Sequence, residues 1–165
     1  MPCFDIPERL HTNGRLPDAH FTSNEKLFRR FANTEQNKPA LKDGKLTHAS
    51  LSLKEMSVNR EKYSEKPEDV LYNIKTGEHF WHYGIYAFCV GAIQSLNYVH
   101  PTEQSKSYSL RAVHKPEPCM YPHSIIAILE NEIEISEIKP KSIKTTLRDD
   151  LIEQATILKL PEPAP

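Results

Sequence analysis

The balance of proline and glycine limits the folds open to this chain. Its 165 residues include 13 prolines and only 5 glycines, the reverse of the usual excess of glycine over proline. The spacing of those glycines leaves no place for a G-x-G-x-x-G or a G-x-x-x-x-G-K-[ST] motif. The simplest dinucleotide-binding and P-loop folds, which cradle phosphates with glycine-rich loops, are therefore excluded.

Length and charge favour one domain with no general affinity for polyanions. A chain of 165 residues is typical of a single domain that buries about two thirds of its unfolded surface. The net charge of −1 and the pI near 6.7 give no basic field for duplex DNA. The longest apolar stretch, residues 85–93, is far shorter than the roughly 20 residues that cross a bilayer. We expect neither duplex nucleic acid nor a membrane as a partner.

The three cysteines indicate a reducing compartment. Cys3, Cys89 and Cys119 are odd in number, follow no recognisable spacing and are not preceded by a secretory signal. We therefore expect free thiols and a cytoplasmic location. Cys119 lies beside prolines and between His114 and His123, which favours a lowered thiol pKa. The spacing of these three residues matches no zinc motif, so we predict neither a metal nor a cofactor.

Local patterns predict a single α+β domain over residues 21–160, an extended, loosely packed arm over residues 1–20 and a disordered, proline-rich tail over residues 161–165. Alternating or β-rich segments predict most of the sheet, and Pro67 and Pro140 mark helix starts. Strands are expected at 26–31, within 45–58, at 80–89, 110–113, 124–129, 133–135 and 157–160, and helices after 67, at 90–96 and after 140. The sum is a mostly antiparallel sheet with two or three helices, in which a short strand follows the C-terminal helix.

His114 and His123 flank a connection that contains Pro116, Pro118 and Pro122. Proline fixes the backbone, so this connection could hold two imidazoles at a fixed separation for one ligand or for acid–base chemistry. The alternative is a stiff link between strands with a histidine at each end.

His48-Ala49-Ser50 forms an H-x-[ST] motif in a segment predicted to be a strand. It resembles half of the 2H phosphoesterase signature, in which an imidazole and a hydroxyl on one strand face grip a phosphodiester. His100-Pro101-Thr102 is a poor partner motif because its proline disfavours a central strand. The alternative is an ordinary polar strand edge.

Arginines offer a third candidate site. Arg29, Arg30 and Arg60 could bind a phosphate or carboxylate, whose geometry matches a guanidinium fork. Strand alternation places Arg29 and Arg30 on opposite faces, so only one of them is expected to line a site. The alternative is a solvated arginine, or an ion pair with Glu55 or Glu68.

Several short motifs together resemble a widespread group of small bacterial proteins that have no assigned activity. They are Leu27-Phe28-Arg29-Arg30, Met56-Ser57-Val58-Asn59-Arg60, Pro67-Glu68-Asp69, and Pro116-Glu117-Pro118 followed by His123-Ser124. The resemblance covers residues 25–160. It departs at Cys119-Met120 and Pro122, where the group has an acid, Asn and Ala. It implies a bacterial, cytoplasmic protein and carries over Arg29, Ser57, Arg60, Pro118 and His123 as positions of interest.

These observations favour a small binding or accessory module over an enzyme. Its expected partner is a protein or a small anionic ligand, contacted through a surface of Arg29, Arg30, Ser57, Arg60, His114 and His123. The rival hypothesis is a histidine-dependent phosphodiester hydrolase or nucleotide-processing enzyme that uses His48 with His100, or His114 with His123. A third hypothesis is a structural subunit of an operon-encoded complex.

Overall fold

Short strands follow one another along most of the chain. The computed structural model describes Cys3 and residues 5–32 and 39–163, and the bounds below refer to that part of the chain. The strands are β1 (Lys26–Phe31), β2 (Leu41–Lys42), β3 (Lys45–Leu46), β4 (Met56–Arg60), β5 (Gly84–Cys89), β6 (Asn97–Val99), β7 (Ser107–His114), β8 (His123–Glu130), β9 (Ile133–Ile135) and β10 (Thr156–Lys159). The α-helices are α1 (Val90–Gln94) and α2 (Lys141–Gln154), and 3-10 helices cover Glu8–Leu10, His48–Ser50, Glu61–Tyr63 and Pro67–Leu71.

The strands build one antiparallel sheet and a small separate hairpin. The sheet order is β10-β5-β1-β4-β8-β7-β6, and β9 pairs with the far end of β8. Strand β1 therefore lies inside the sheet, between two strands that come later in the chain. The α+β class, the antiparallel sheet and the final helix followed by a strand are as predicted.

Alternation along the strands and helical spacing in α2 create the main core. Buried side chains of β4, β5, β7 and β8 belong to one cluster, which also contains Ile143, Leu147 and Leu151 of α2. These three residues recur at the spacing of one helix face, which confirms the helix predicted after Pro140. The opposite face of the sheet is less fully covered.

The predicted strand over 80–89 is shorter than expected. Strand β5 begins at Gly84, because residues 81–83 form turns rather than extended backbone. A Cβ atom at Gly84 would lie 2.5 Å from the ring of Phe31 and 2.9 Å from the carbonyl oxygen of Lys159. Both neighbouring strands therefore approach too closely for any other residue.

The prediction of one strand within residues 45–58 is wrong for its first part. The chain forms the β2–β3 hairpin, then a 3-10 helix over His48–Ser50, and becomes extended again only at β4. Leu51 and Leu53 are buried as their alternation suggested. A bent segment buries them equally well, so alternation alone did not require a strand.

The N-terminal segment is fixed to the body rather than loosely packed. Ile6 and Leu10 are buried with Met120, and Arg9 donates two hydrogen bonds to Asp69, of 2.8 and 2.6 Å. At the other end of the chain, the Glu162 amide donates to the carbonyl of His82. Ala164 and Pro165 of the predicted tail lie outside the described residues.

A disulfide joins Cys3 to Cys119 across 116 positions of sequence. The prediction of free thiols is therefore wrong for these two residues, and Cys119 has no thiol pKa to lower. Cys3 belongs to the N-terminal segment that packs on Met120, so tertiary packing brings together two cysteines with no meaningful spacing.

Reduction of this disulfide should destabilise the fold. Opening so long a loop enlarges the unfolded ensemble, and we expect the free energy of unfolding to fall by about 2–5 kcal/mol. Urea unfolding of the oxidised and the dithiothreitol-reduced protein measures the difference, with Cys89→Ser as a control that should behave as the wild type. Equal midpoints for both redox forms would contradict the prediction.

Candidate functional site

Two adjoining cavities open on the face of the sheet opposite to α2, here called the outer face. Asn59 pairs with His123 and Ser57 pairs with Ile125, so these four side chains share that face. A cavity of 420 Å³, here called the cation cavity, is lined by Arg29, Arg30, Glu55, Ser57, Val58, Asn59, Val70, Tyr72, Asn73, Ile74, Lys75, Met120 and His123. It therefore collects four of the six predicted ligand-binding residues, namely Arg29, Arg30, Ser57 and His123.

Divergence of two strands creates the cation cavity. Strand β1 pairs with β4 only at Leu27 and Phe28, whereas its pairing with β5 continues to Phe31. Beyond Phe28 the side chain of Arg29 spans the gap, and its Nη1 donates to the carbonyl of Ser57 at 2.8 Å. Both consecutive arginines consequently line one cavity, which corrects the expectation that only one of them could.

The arginines keep donors that the protein does not use. The Nε of Arg29 is buried and has no hydrogen-bond partner among the described residues. Arg30 uses Nη1, which donates to the carbonyls of Val70 at 3.1 Å and Tyr72 at 2.7 Å, and its guanidinium lies over the ring of Phe80. Burial lowers the pKa of Arg30, and the positive charge of Arg29 lowers it further.

The charge of the cation cavity is not balanced. Arg29, Arg30 and Lys75 line it against the single carboxylate of Glu55. None of these three cations forms an ion pair with another residue in the described part of the chain. The cavity is therefore a site of excess positive charge on a protein whose net charge is −1.

His123 presents one ring nitrogen to both cavities. Its Nδ1 lies 2.7 Å from the carbonyl oxygen of Lys115, and because a carbonyl only accepts, Nδ1 carries the proton. In the neutral ring Nε2 is then an acceptor, and it has no hydrogen-bond partner among the described residues. His123 can therefore accept a hydrogen bond from a bound ligand.

His114 does not join this site. It pairs with Ser124 across β7 and β8, so it lies on the opposite face of the sheet from His123. Its Nδ1 accepts from the Asp18 amide and its Nε2 donates to the carbonyl of Tyr121, both at 2.8 Å. Burial lowers its pKa. The hypothesis that the two histidines share one ligand is therefore wrong.

Arg60 has a structural role. Its side chain is fully buried, and its Nε and Nη2 donate to the carboxylate of Glu25 at 2.8 and 2.9 Å. Further donors reach the carbonyls of Asp18 and His20, and the ring of Phe21 lies 3.8 Å from the guanidinium carbon. No ligand reaches this arginine in the folded protein, in contrast to the prediction.

The two H-x-[ST] segments do not form a phosphoesterase pair. His48 lies in a 3-10 helix, so the strand geometry that would place it beside Ser50 is absent, and its Nε2 lies 2.7 Å from Asp149 of α2. The Nδ1 of His100 accepts from the amides of Thr102 and Glu103 within its own turn. Both histidines serve local contacts.

No metal centre is assembled in the part of the chain that the structure describes. Cys119 is in the disulfide, and His114 and His123 face opposite ways. No cluster of three or more His, Cys, Asp or Glu residues suited to a metal ion occurs among the described residues.

Sequence reasoning missed Asn59, Tyr72 and Lys75 as parts of the site. Lys75 is exposed on a turn in which the side chain of Asn73 accepts from the amides of Lys75 and Thr76. The Asn73 to Gly77 segment is a recognisable turn signal, but nothing local indicates that this turn lies over β4 and β8. Asn59 lies beside Arg60, whose guanidinium is the more obvious group for binding an anion.

Comparisons with models of protein families, with curated proteins and with solved structures find no match to this chain. Neither of the described helices has the length and apolar character that a membrane span requires. The function must therefore be argued from the site itself.

Substitution of Arg60 should destabilise the protein far more than substitution of an exposed arginine. Arg60→Gln leaves the Glu25 carboxylate buried without its partner, and we expect a loss of about 3–5 kcal/mol in the free energy of unfolding. The control is Arg111→Gln, because Arg111 forms an exposed ion pair with Glu132 and should cost at most about 1 kcal/mol. Chemical unfolding of both variants gives the comparison, and equal losses would contradict the structural role of Arg60.

Lowering the pH should reduce the free energy of unfolding, because the buried His114 must be protonated. Because burial lowers its folded pKa below the unfolded value of about 6.5, its neutral form contributes stability above that pH, and this contribution is lost as the pH falls. His79 acts in the same direction, since burial lowers its pKa too. Unfolding measured from pH 7.5 to 5 should show a smaller decline for His114→Gln than for the wild type. An unchanged pH dependence in the variant would exclude His114 as a cause.

Proposed function

We propose that this protein is a small binding module that takes an anionic ligand in the cation cavity. The observation that carries the proposal is the pair of adjacent guanidiniums, Arg29 and Arg30, which line one cavity together with Lys75 and face the single carboxylate of Glu55 there. A phosphate or carboxylate in the cavity would offset the excess positive charge, because its oxygens accept from guanidinium N–H groups with good geometry.

The contrast with Arg60 supports this interpretation. The same type of side chain, when its role is structural, has its donors directed at the carboxylate of Glu25 and at nearby carbonyls. Arg29 and Arg30 each use one nitrogen on backbone carbonyls, which fixes the guanidinium and leaves other N–H groups for a ligand. His123 and the exposed hydroxyl of Ser57 add polar groups to the same cavity.

The groups present favour binding over hydrolysis. Catalysis by paired histidines needs two imidazoles in one cleft, and His123 is the one imidazole that lines the cation cavity. Ser57 pairs with Ile125 rather than with His123, so the hydroxyl and the imidazole are diagonal neighbours with no hydrogen bond between them. His123 also has a carbonyl, not a carboxylate, on Nδ1. A nucleophile with its base is not assembled here.

A bacterial origin, the likeness to the group of small bacterial proteins and a cytoplasmic location remain predictions. The Cys3–Cys119 disulfide favours an oxidising compartment for the form described. In the cytoplasm the module would work with both cysteines as thiols. The cation cavity is built by β1, β4 and β8 and by the 72–75 turn, so it does not contain either cysteine.

Titration with small anions tests the proposal. Inorganic phosphate, sulfate and citrate should bind the wild-type protein in calorimetry, and Arg29→Gln or Arg30→Gln should weaken binding roughly tenfold or more, because each removes charged hydrogen bonds. Arg111→Gln is the matched control, since it removes the same charge from an exposed ion pair elsewhere on the sheet. Absence of binding by the wild type, or equal binding by all three variants, would contradict the proposal.

A further inference from the structure

The cation cavity continues into a longer groove. A second cavity, of 960 Å³, shares Glu55, Ser57, Ile74, Lys75 and His123 with it. It follows β8 past Ile125 and Ala127 to the acidic side chains of Glu134 and Glu137. We call the two cavities together the outer groove. Since Glu134 pairs with Leu129, the groove follows β8 from His123 to Leu129, a distance of six residue steps, or about 20 Å.

Beneath the groove, the strand pairing along one edge of β8 is interrupted. Strand β4 pairs with β8 up to Ile126, and β9 takes over on the same edge at Ile128. Ala127 lies between these two paired stretches of β8. Glu55, which precedes β4, and Ser136, which follows β9, line the groove with it. Glu55 has a φ of +50°, a left-handed conformation that is uncommon for glutamate. The two strand ends therefore turn away from each other and leave the groove open.

The charges of the outer groove are separated along its length. One end holds Arg29, Arg30 and Lys75, and the other holds Glu134 and Glu137, which form no ion pair with a described residue. Glu55 lies at the cationic end, Lys54, Lys115 and Glu117 also line the groove, and Ile74, Ile125, Ala127 and Ile135 give it an apolar floor. Such a surface fits a ligand that is anionic at one end, apolar in the middle and cationic at the other end.

We propose that the occupant is an extended peptide segment of a partner protein, with a carboxylate in the cation cavity and a basic side chain about six residues away, against Glu134 and Glu137. This inference rests on the proposed function and names its ligand class. A length of about 20 Å matches about six extended residues and exceeds the reach of a single phosphate or small acid. A nucleic acid strand is disfavoured, because its phosphates would meet the two glutamates.

The carboxylate could be an acidic side chain or a C-terminus, and both chemistries fit the same guanidiniums. The probe is the peptide Lys-Ala-Val-Ala-Val-Ala-Asp, in which Lys and Asp are six positions apart and so point to the same side of an extended chain. A neutral fluorophore acylates its N-terminus and its C-terminus is amidated, so that its charges come only from its side chains. Comparison peptides replace Lys by Ala, place Lys beside Asp, or replace Asp by Ala and leave the C-terminal carboxylate free. Fluorescence anisotropy gives the affinities.

We expect the bipolar peptide to bind about fivefold more tightly than the peptide without lysine, as for an exposed ion pair, and to lose that advantage when Lys stands beside Asp. Glu134→Lys should abolish this advantage, because the new lysine offsets the charge of Glu137. Glu153→Lys, an exposed residue of α2, is the matched control and should leave the preference unchanged.

The outcomes separate the two proposals. If phosphate or citrate binds in an Arg30-dependent way but lysine in the peptide makes no difference, the peptide inference is wrong and the binding function stands. If the wild type binds neither small anions nor peptides, both fail. A preference for lysine that is lost in Glu134→Lys but kept in Glu153→Lys establishes the polarity of the groove, and a preference that persists in Glu134→Lys contradicts it.

Discussion

The buried pair of Arg60 and Glu25 is the contact on which the arrangement of the sheet depends. Removing two charges from water costs several kcal/mol per ion unless their partners are in place. Here the carboxylate of Glu25 and the carbonyls of Asp18 and His20 surround one guanidinium. The segment before β1 must therefore pass over the end of β4. This path carries β1 into the interior of the sheet, where its divergence from β4 opens the cation cavity.

The chain thus contains two kinds of arginine that are alike in sequence. Arg60 and Arg30 each lie in a strand, and both are predicted from the sequence to bind an anion. What separates them is the set of acceptors supplied by distant segments, Asp18 to Glu25 for Arg60 and the carbonyls of Val70 and Tyr72 for Arg30. Only the tertiary structure shows that the hydrogen-bond donors of Arg60 are used within the protein, whereas Arg30 uses only Nη1.

Local patterns predicted most of the sheet because burial on one face imposes alternation. Strand β7 follows this rule, whereas β8 is buried on both faces and α2 buries residues at helical spacing. The bounds of β1 are as predicted, and those of β7 and β8 differ from the predicted ones by a few residues. The 3-10 helix at His48 was not predicted, because bent backbone can also bury alternate leucines. Of the predicted site, Arg29, Arg30, Ser57 and His123 meet in one cavity. His114 does not, because its face depends on the register between β7 and β8, which the proline-rich connection does not reveal.

The order of the strands has a consequence for synthesis on the ribosome. Strand β1 has no sheet partner until β4 emerges, and its longer pairing waits for β5, about sixty residues after β1. Cys3 has to wait for Cys119. Until β4 emerges, the nascent chain carries β1 as an unpaired strand that contains Leu27, Phe28 and Phe31. Such unpaired edges are prone to aggregation. Chaperone contact with β1 should therefore be most useful before Cys89 leaves the exit tunnel.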